Sequence, residues 1–395
     1  MTDNNENKVL NVPHLRFPEF GGEWRKYKLA EICSFFSGGT PSSSKKEYYD
    51  GNIPFIRSGE LHMDKTELFI TEVGLDNSAA KIVDVGDLLL ALYGATSGDI
   101  AISQIKGAIN QAILCIRTTQ NKKFIESVWK KHVEKLLQTY LQGGQGNLSA
   151  DIVKNISFYF AESNEQIKLA KFITLLDERI ATQNKIIEKQ QSLIKGIVDN
   201  LMTALLKGEL YPFSSFYIKA GEGGTPTTSV DEYYSEGTIP FIKIDDLSCK
   251  YLTSNKEFIT ELGMQKSSAW LIPSQSVIYS NGATIGAISI NEYPVCTKQG
   301  ILGIVPNTNV NVEYLFLLMS SSFFSKEVNR IITEGTMKTA YLKDINHIKC
   351  PLPSMAQQKS ITNLTSSIEE KLYTEKKLLK FLNLQKQHLL RTMFI

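Results

Sequence analysis

A long internal repeat constrains the fold of this chain more than any other feature. The segment "SGGTPSSSKKEYYDGNIPFIRSGEL" begins at Ser37 and returns as "EGGTPTTSVDEYYSEGTIPFIKIDDL" at Glu222. Further along, "YGATSGDIAI" from Tyr93 corresponds to "NGATIGAISI" from Asn281, and the offset between the copies drifts only from 185 to 188. A solenoid unit has about 20–50 residues, so a period this long indicates a duplicated globular domain.

Each copy of the repeat runs into a long helical pattern. Apolar residues step by four and three from Leu169 to Ala204, and the pattern returns from Ile361 to Met393 at a constant offset of 192. The apolar seam positions are Leu169, Ile173, Leu176, Ile180, Ile187, Ile194, Ile197 and Leu201 in the first helix, and Ile361, Ile368, Leu372, Leu379, Leu382 and Leu389 in the second. Heptads sustained this long predict a coiled coil, and the order of the segments along the chain predicts antiparallel helices.

The second helix differs from the first in two details. Its seam is more polar, because Thr365, Glu375 and Lys386 occupy seam positions. Both helices can begin on a capping box, Ser163-x-x-Gln166 in the first and Ser354-x-x-Gln357 in the second. These two boxes are one residue out of register with the seam offset, which suggests that one of them is fortuitous.

The predicted fold class is α+β, with two pseudo-symmetric mixed α/β domains separated by a long antiparallel two-helix coiled coil. Short apolar runs bounded by turn residues, such as "DLLLALYG" from Asp87 and "GILGIVP" from Gly300, predict strands. Helices are expected from Phe124 to Leu141 and from Val312 to Ile332. The predicted boundaries are an N-terminal tail at 1–19, a first globular domain at 20–160, a first long helix at 161–208, a second globular domain at 209–353 and a second long helix at 354–395.

Composition excludes several classes of protein. The net charge is only +2, so a surface that binds nucleic acid would need segregated charge and not an overall excess. The clearest basic cluster, "NKKFIESVWKKHVEK" from Asn121, is more simply interpreted as a solvated helix face. The five cysteines stand singly, which argues against a zinc site or a disulfide framework and fits a reducing cytoplasm. We expect no membrane span and no secretory signal.

The sequence contains no recognisable catalytic constellation. The five histidines lie far apart, and neither glycine motif has the strand–GxGxxG–helix context of a dinucleotide site or the lysine of a phosphate loop. HExxH and GxSxG motifs are also missing from the sequence. We therefore expect a binding protein or a scaffold, with no catalytic residue and no metal site of its own.

The order of these features resembles the DNA-specificity subunit of type I restriction-modification enzymes. The resemblance rests on "LRFPEFGGEW" from Leu15 to Trp24, on the two GGTP…EYY…IPFI blocks and on the two heptad helices, and it covers about residues 12–395. It implies that each globular domain is a target-recognition domain that reads one half of a bipartite double-stranded DNA sequence. It also implies that the helix pair sets the spacer and docks two modification subunits. The second copy lacks a counterpart of "LRFPEFGGEW", so the start of its domain is shorter.

The resemblance assigns the chemistry to partner subunits. The modification subunits would methylate adenine with S-adenosylmethionine, and separate restriction and translocase subunits would use ATP and Mg²⁺ to translocate and cut DNA. This chain is then expected to hold no cofactor and to act in the cytoplasm. The alternative is a coiled-coil scaffold for protein interactions without DNA specificity, which the near-neutral charge favours and the repeated motifs disfavour.

The candidate DNA contacts are polar or basic residues beside the shared turns. Lysine and arginine side chains in such places are able to contact phosphates or guanine edges in the major groove. Taken singly, each of these residues is more often a plain turn or surface residue. The candidates are Lys45, Lys46, Arg57, Tyr93 and Thr96 in the first copy, and Lys243, Tyr279, Thr284 and Lys298 in the second.

Overall fold

The structure, a computed structural model, describes residues 10–141, 147–282, 284–332 and 338–395. It divides into two compact units. The first unit contains the residues up to Asn184 together with Lys377–Ile395, and the second unit contains Lys185–Lys376. Each of the two long helices therefore contributes one half to each unit.

The first unit is a mixed α/β domain. A four-stranded antiparallel sheet has the order β2-β9-β6-β7, and a mixed sheet has the order β4-β3-β8-β5, with β3 and β8 parallel. The strands β1 and β10 form a separate antiparallel ribbon. Its elements, with the first long helix, are β1 (Arg25–Lys28), α1 (Leu29–Ile32), β2 (Cys33–Ser37), β3 (Tyr49–Ile56), β4 (Leu68–Ile70), α2 (Glu72–Asp76), β5 (Lys81–Val83), β6 (Leu88–Ala91), β7 (Ile100–Ile102), β8 (Gly107–Ile109), β9 (Ile113–Thr118), α3 (Lys122–Leu141), α4 (Ala150–Asn155), β10 (Ser157–Phe160) and α5 (Ser163–Leu205).

The second unit repeats this plan. Its larger sheet has the order β12-β19-β16-β17-β14, its smaller mixed sheet has the order β15-β13-β18, and β11 pairs with β20. Its elements, with the second long helix, are β11 (Leu210–Pro212), β12 (Tyr217–Glu222), β13 (Ile239–Ile242), β14 (Tyr251–Leu252), β15 (Glu257–Ile259), α6 (Glu261–Gln265), β16 (Val277–Ser280), β17 (Ile288–Asn291), β18 (Cys296–Thr297), β19 (Ile301–Pro306), α7 (Val312–Ser320), α8 (Ser322–Ile331), α9 (Leu342–Ile345), β20 (Lys349–Pro351) and α10 (Met355–Met393).

The predicted strands are confirmed, and one predicted helix is corrected. All four residues of β6 and of β16 are buried, because these strands are covered on both faces. The helix expected from Val312 to Ile332 is instead two helices, α7 and α8. They are separated at Ser321, whose backbone is extended and whose hydroxyl accepts a hydrogen bond from the N–H of Phe324. A serine in this role is a favoured helix N-cap, and it starts a new helix here.

The long helices pair antiparallel within each unit. In the first unit, Leu169 near the start of α5 is buried in the same core as Leu389 near the end of α10. In the second unit, Val198 and Met202 near the end of α5 are buried with Ile361 near the start of α10. The antiparallel pairing predicted from the heptads is therefore present at both ends of the helices.

The seam differs from the expected pattern at its end and at its polar positions. Val198 and Met202 are only 4% and 1% exposed, whereas Ala204, the last residue of the predicted seam, is exposed. Thr365 is buried, and its hydroxyl donates to the carbonyl of Thr362. Lys386 extends to Asp177 of α5, with Nζ 2.5 Å from Oδ1. Both polar side chains are thus satisfied within the helix pair.

Only the second of the two expected capping boxes forms. The side-chain Oε1 of Gln357 accepts a hydrogen bond from the N–H of Ser354 at 3.0 Å, and the Ser354 hydroxyl accepts from the N–H of Gln357 at 3.4 Å. Gln166 has a different role, because its Oε1 accepts from the N–H of Asn121 at the start of α3. The prediction of a capping box at Ser163 is wrong.

The true counterpart of Gln166 is Gln358, which lies 192 residues later, at the seam offset. The Oε1 of Gln358 accepts from the N–H of Asn311, which caps α7, at 2.7 Å. Each glutamine also donates from Nε2 to a backbone carbonyl five residues before it, at 2.8 Å. The buried side-chain amide of Gln166 therefore attaches the start of α5 to α3, and that of Gln358 attaches the start of α10 to α7.

Candidate nucleic-acid interface

The repeated block around GGTP builds a loop that lies directly on a strand. A Cβ on Gly38 would lie 1.8 Å from the carbonyl oxygen of Ile109 in β8, and one on Gly223 would lie 2.0 Å from that of Thr297 in β18. Only glycine permits so close an approach of two backbones. This loop is the same in both units.

The tyrosines of the EYY motif hold the same loop. The hydroxyl of Tyr49 donates to the carbonyl of Pro41 at 2.6 Å, and the hydroxyl of Tyr234 donates to the carbonyl of Pro226 at 2.6 Å. The most recognisable part of the repeat is therefore a structural module. The hydrogen bonds of these tyrosine hydroxyls stay within the GGTP loop, and the loop positions the residues around it.

Arg57 and Lys243 occupy equivalent positions, just after β3 and β13, and both are ion-paired. The guanidinium of Arg57 donates from Nη2 to Glu60 at 3.0 Å and to Glu67 at 2.6 Å. These hydrogen bonds raise the pKa of Arg57 above its ordinary value. Lys243 pairs with Glu257. The side chains of Arg57 and Lys243 therefore already have structural partners, which a contact with DNA would have to replace or share.

Glu60 is the buried partner in the first of these clusters. Burial opposes ionisation of its carboxyl group, but hydrogen bonds from Arg57 and from the backbone N–H groups of Glu67 and Arg57 outweigh that effect and lower the pKa of Glu60 to about 2. The carboxylate is therefore ionised in the folded chain across the neutral range. Its negative charge fixes the arginine side chain against the protein.

Lys45 and Lys46 lie between GGTP and the tyrosines, and both are exposed. Lys45 donates from Nζ to the hydroxyl of Tyr48 at 2.8 Å, and the same ammonium lies 4.9 Å from the centre of that ring. Lys46 projects from the short 3₁₀ helix that follows, at Lys46–Tyr48. Of the two lysines, Lys45 is therefore held by a neighbouring side chain.

Tyr93 and Thr96 belong to the tight turn between β6 and β7, on the other sheet. Gly94 and Gly98 adopt φ of +85° there, which glycine accepts without strain. Tyr93 and Thr96 are half-buried. In the second unit the corresponding turn contains the exposed Thr284, while its neighbour at position 283 lies outside the described residues. The candidate DNA contacts of the first copy therefore lie beside two different sheets, one that contains β3 and one that contains β6.

Tyr279 and Lys298 have contrasting positions. Tyr279 is 1% exposed within β16, where its ring packs edge-on against Phe324, and burial raises its pKa to about 12. A side chain enclosed in the core has no surface to offer to DNA, so the expectation for Tyr279 is corrected to a structural role. Lys298 is exposed just after β18 and remains available.

The basic cluster of α3 is not a free positive surface. Lys122 donates to the carbonyl of Gly86 at 2.7 Å, and Lys130 pairs with Glu126. Lys123 lies 2.7 Å from Asp177 of α5. These lysines are committed to contacts within the first unit, which differs from the solvated helix face expected from the sequence.

Sequence reasoning missed the groups that attach each domain to the long helices. In the second unit, Nζ of Lys250 lies 3.1 Å from Glu313 of α7 and 2.5 Å from Glu369 of α10. Ion pairs distant in sequence leave no signal in a single chain. The glutamines at 166 and 358 were detectable, because they repeat at the seam offset.

Neither a cluster of metal ligands nor a membrane-spanning helix is present among the described residues. Within the described ranges, no three His, Cys, Asp or Glu side chains come together as a possible metal site. Among the described helices, none combines the length and the apolar character needed to cross a membrane.

Comparison with known proteins assigns the family. The model of the type I restriction modification DNA specificity domain matches the chain twice, at residues 21–190 and 217–384. The chain belongs to this family. Each match to the DNA specificity domain begins before the GGTP block and extends into one of the long helices, so the domain of the family includes both parts.

One relative in the specificity-domain family matches most of the chain, and another matches part of it. The type I restriction enzyme MjaVIII specificity subunit of Methanocaldococcus jannaschii is 23% identical over 398 residues, which cover 94% of this chain and 91% of that protein. The type I restriction enzyme HindI specificity subunit of Haemophilus influenzae is 29% identical over 164 residues, 39% of this chain and 36% of that protein.

A solved structure shows that the fold is shared. The crystal structure of the type I restriction-modification system S subunit from M. genitalium aligns with 97% of this chain and 99% of that chain, with a TM-score of 0.57 and 17% identity. The predicted α+β class, with two mixed units and two long helices, is confirmed.

Proposed function

We propose that this chain is the DNA-specificity subunit of a type I restriction-modification complex. The observation that carries the proposal is the presence of two DNA specificity domains in one chain, each with its own mixed α/β body and its own long helix. In this role the chain selects the DNA sequence on which the complex acts. The alternative, a scaffold without DNA specificity, receives no support from the comparisons.

Each recognition domain reads one half of a bipartite double-stranded target. Two domains built on a similar plan suit a split site, in the way that twofold proteins match paired half-sites. The two halves differ in sequence because exposed residues differ between the copies: Lys46 in the first corresponds to Asp231 in the second. Lys298 and Thr284 are the contacts we favour in the second unit.

The antiparallel helices set the spacer between the half-sites and dock two methyltransferase subunits. Those modification subunits bind S-adenosylmethionine and methylate adenine, and restriction and translocase subunits use ATP and Mg²⁺. The assembled complex is an adenine-specific methyltransferase and an ATP-dependent type I deoxyribonuclease that acts in the cytoplasm. This chain contributes no catalytic residue and binds no cofactor.

The test is DNA binding and methylation by the chain with its modification subunit. We expect the complex to bind its own target about 10³-fold or more tightly than random duplex DNA at physiological salt. Binding to all duplexes alike, or to none, would favour the scaffold. Methyl transfer by the isolated chain, without a partner, would contradict the assignment of the chemistry to other subunits.

A further inference from the structure

Packing does not explain why one exposed residue is the same in both copies. The glycines and tyrosines of the repeated loop are shared because they hold its backbone in place. Gln111 and Gln299 also match, at an offset of 188, yet both side chains are exposed. An identical polar side chain on the surface of two domains indicates a feature that both domains contact.

Each of these glutamines adjoins the turn that follows β6 or β16. In the first unit, the N–H of Leu92 at the start of this turn donates to the carbonyl of Ala112, the residue after the glutamine, at 2.8 Å. In the second unit, the N–H of Asn281 donates to the carbonyl of Gly300, again the residue after the glutamine, at 3.0 Å. The two glutamines therefore lie next to the turns that carry the candidate threonines.

The threonine of the GGTP segment contacts the same glutamine in both units. The hydroxyl of Thr40 donates to Oε1 of Gln111, and the hydroxyl of Thr225 accepts from the backbone N–H of Gln299 at 3.4 Å. In the part of the chain that the structure describes, the Nε2 group of neither glutamine has a hydrogen-bond partner. Each glutamine thus presents two N–H donors at a place where three repeated segments meet.

The identity of the two glutamines is informative because the half-sites are expected to differ. Groups that read different bases should differ between the domains, and exposed positions such as Lys46 and Asp231 do differ. Contacts to sugar and phosphate carry no sequence information, but they fix the register and orientation of a protein on the duplex. Glutamine and threonine side chains are among the groups that make such contacts. An identical glutamine therefore suits the DNA backbone, which is the same in every half-site.

A protein partner present in two copies would also meet the same surface twice. The buried centre of a protein interface is typically apolar and enriched in aromatic residues. The exposed aromatic residues that the copies share, Phe69 and Phe258, instead lie on β4 and β15. The glutamine sites offer hydrogen-bond donors, and the exposed Lys298 directly precedes Gln299. This polar chemistry favours DNA over a protein.

We propose that the Nε2 groups of Gln111 and Gln299 each donate a hydrogen bond to a phosphate of the DNA, so that both recognition domains hold the duplex by the same contact. The inference rests on the proposed function. The contact fixes the position of each domain on its half-site, while other residues read the bases. Neither glutamine is charged, so the contact releases no counterion and differs in this respect from a lysine contact.

The test uses the full chain assembled with its modification subunits. Two labelled duplexes are titrated at several salt concentrations, one with the target found by sequencing of methylated sites and one of random sequence. We expect Gln111→Ala and Gln299→Ala each to weaken binding to both duplexes by about tenfold. The slope of log affinity against log salt should stay at its wild-type value, because no charge has been removed.

Gln104→Ala and Gln265→Ala are the matched controls. Each removes an exposed glutamine from the same unit as one of the test variants, and neither glutamine is shared, since the corresponding residues of the other copy are Glu292 and Asp76. We expect both controls to bind the two duplexes with wild-type affinity.

Gln111→Lys gives a second measurement that does not depend on a loss of binding. It replaces a neutral donor by a cation at the same position. We expect binding at least as tight as that of the wild type, and a salt slope whose magnitude is larger by about 1. Gln104→Lys should leave the slope unchanged.

The outcomes separate the inference from the function on which it rests. Wild-type affinity in both alanine test variants would overturn the phosphate contact. A loss confined to the target duplex would also overturn it and would assign the glutamines to base reading, and weaker binding of the modification subunits with unchanged DNA affinity would assign them to a protein contact. A wild-type complex that preferred no sequence would instead contradict the proposed function, while equal losses on both duplexes would still support the phosphate contact.

Discussion

Several buried or half-buried charged residues of this chain join separate elements of the fold. Asp177 of α5 accepts hydrogen bonds from Lys123 of α3 and Lys386 of α10, so one carboxylate joins three elements of the first unit. Burial opposes its ionisation, but these two lysines lower the pKa of Asp177 below its ordinary value. Lys123 and Lys386 are therefore committed to this junction, whereas Lys46 and Lys298 are exposed.

Glu60 makes the stability of the first unit depend on pH. Its pKa is lowered to about 2 when folded, from an ordinary value near 4.5, so its stabilising contribution is complete above about pH 4.5 and is lost as the pH falls toward 2. We expect Glu60→Gln to lower stability at neutral pH and to weaken the pH dependence in that window. Denaturation midpoints at about pH 3, 4.5 and 7 measure this.

Glu67→Gln is the control for that experiment. Glu67 contacts the same arginine, but its side chain is 82% exposed, so its loss should change stability little. If Glu60→Gln and Glu67→Gln had equal effects at every pH, the buried carboxylate would not be the source of the pH dependence.

Lys298 is expected to contact a phosphate of the second half-site. Lys298→Ala should weaken binding of the assembled complex to all DNA sequences alike and reduce the slope of log affinity against log salt by about 1. Titration of labelled duplex at several salt concentrations measures both quantities. Lys250→Ala is unsuitable as a comparison because Lys250 holds the fold, whereas Lys266→Ala replaces another exposed lysine of the same unit. An unchanged salt slope for Lys298→Ala would remove this residue from the interface.

The two long helices are each attached to a domain at a fixed point. Gln166 and Gln358 insert into the start of α3 and α7, and ion pairs at Asp177 and Lys250 add a second attachment in each unit. Rigid attachment is needed if the helices set the spacer. A domain that rotated freely on its helix would not read its half-site at a fixed distance from the other half-site.

Lengthening both helices should therefore lengthen the spacer. Four residues inserted after Asn184 in α5 and four after Lys376 in α10 add about 6 Å and about 40° of rotation. Since each base pair advances about 3.4 Å, we expect a spacer one or two base pairs longer with the same bases in each half-site. Sequencing of methylated sites in cells measures it. The half-site bases are the internal control, and an unchanged spacer would show that the helices do not set it.

Much of this molecule could be predicted from its sequence because the repeat and the heptads depend on local pattern. The strands β6 and β16 and the long helices follow from apolar periodicity, and the antiparallel pairing follows from the order of the segments along the chain. The break at Ser321 was missed because α7 and α8 are both strongly helical in pattern, and only the serine cap separates them. Tyr279 was misplaced because a tyrosine beside a glycine turn has the same sequence whether it faces solvent or the core.

The candidate interface was less predictable for a physical reason. Arg57 and Lys243 carry charges suited to DNA, yet each has a partner ten or more residues away, Glu67 and Glu257, that reaches it only through the fold.

At the scale of the whole molecule, one chain is proposed to carry two separate readers of DNA. The decisive experiment exchanges about residues 212–352 for the corresponding region of another family member and sequences the methylated sites in cells with the modification subunits. We expect a bipartite target in which one half-site is replaced, while the other half-site and the spacer stay the same. A change in both half-sites, or the loss of a bipartite target while methylation persists, would contradict it.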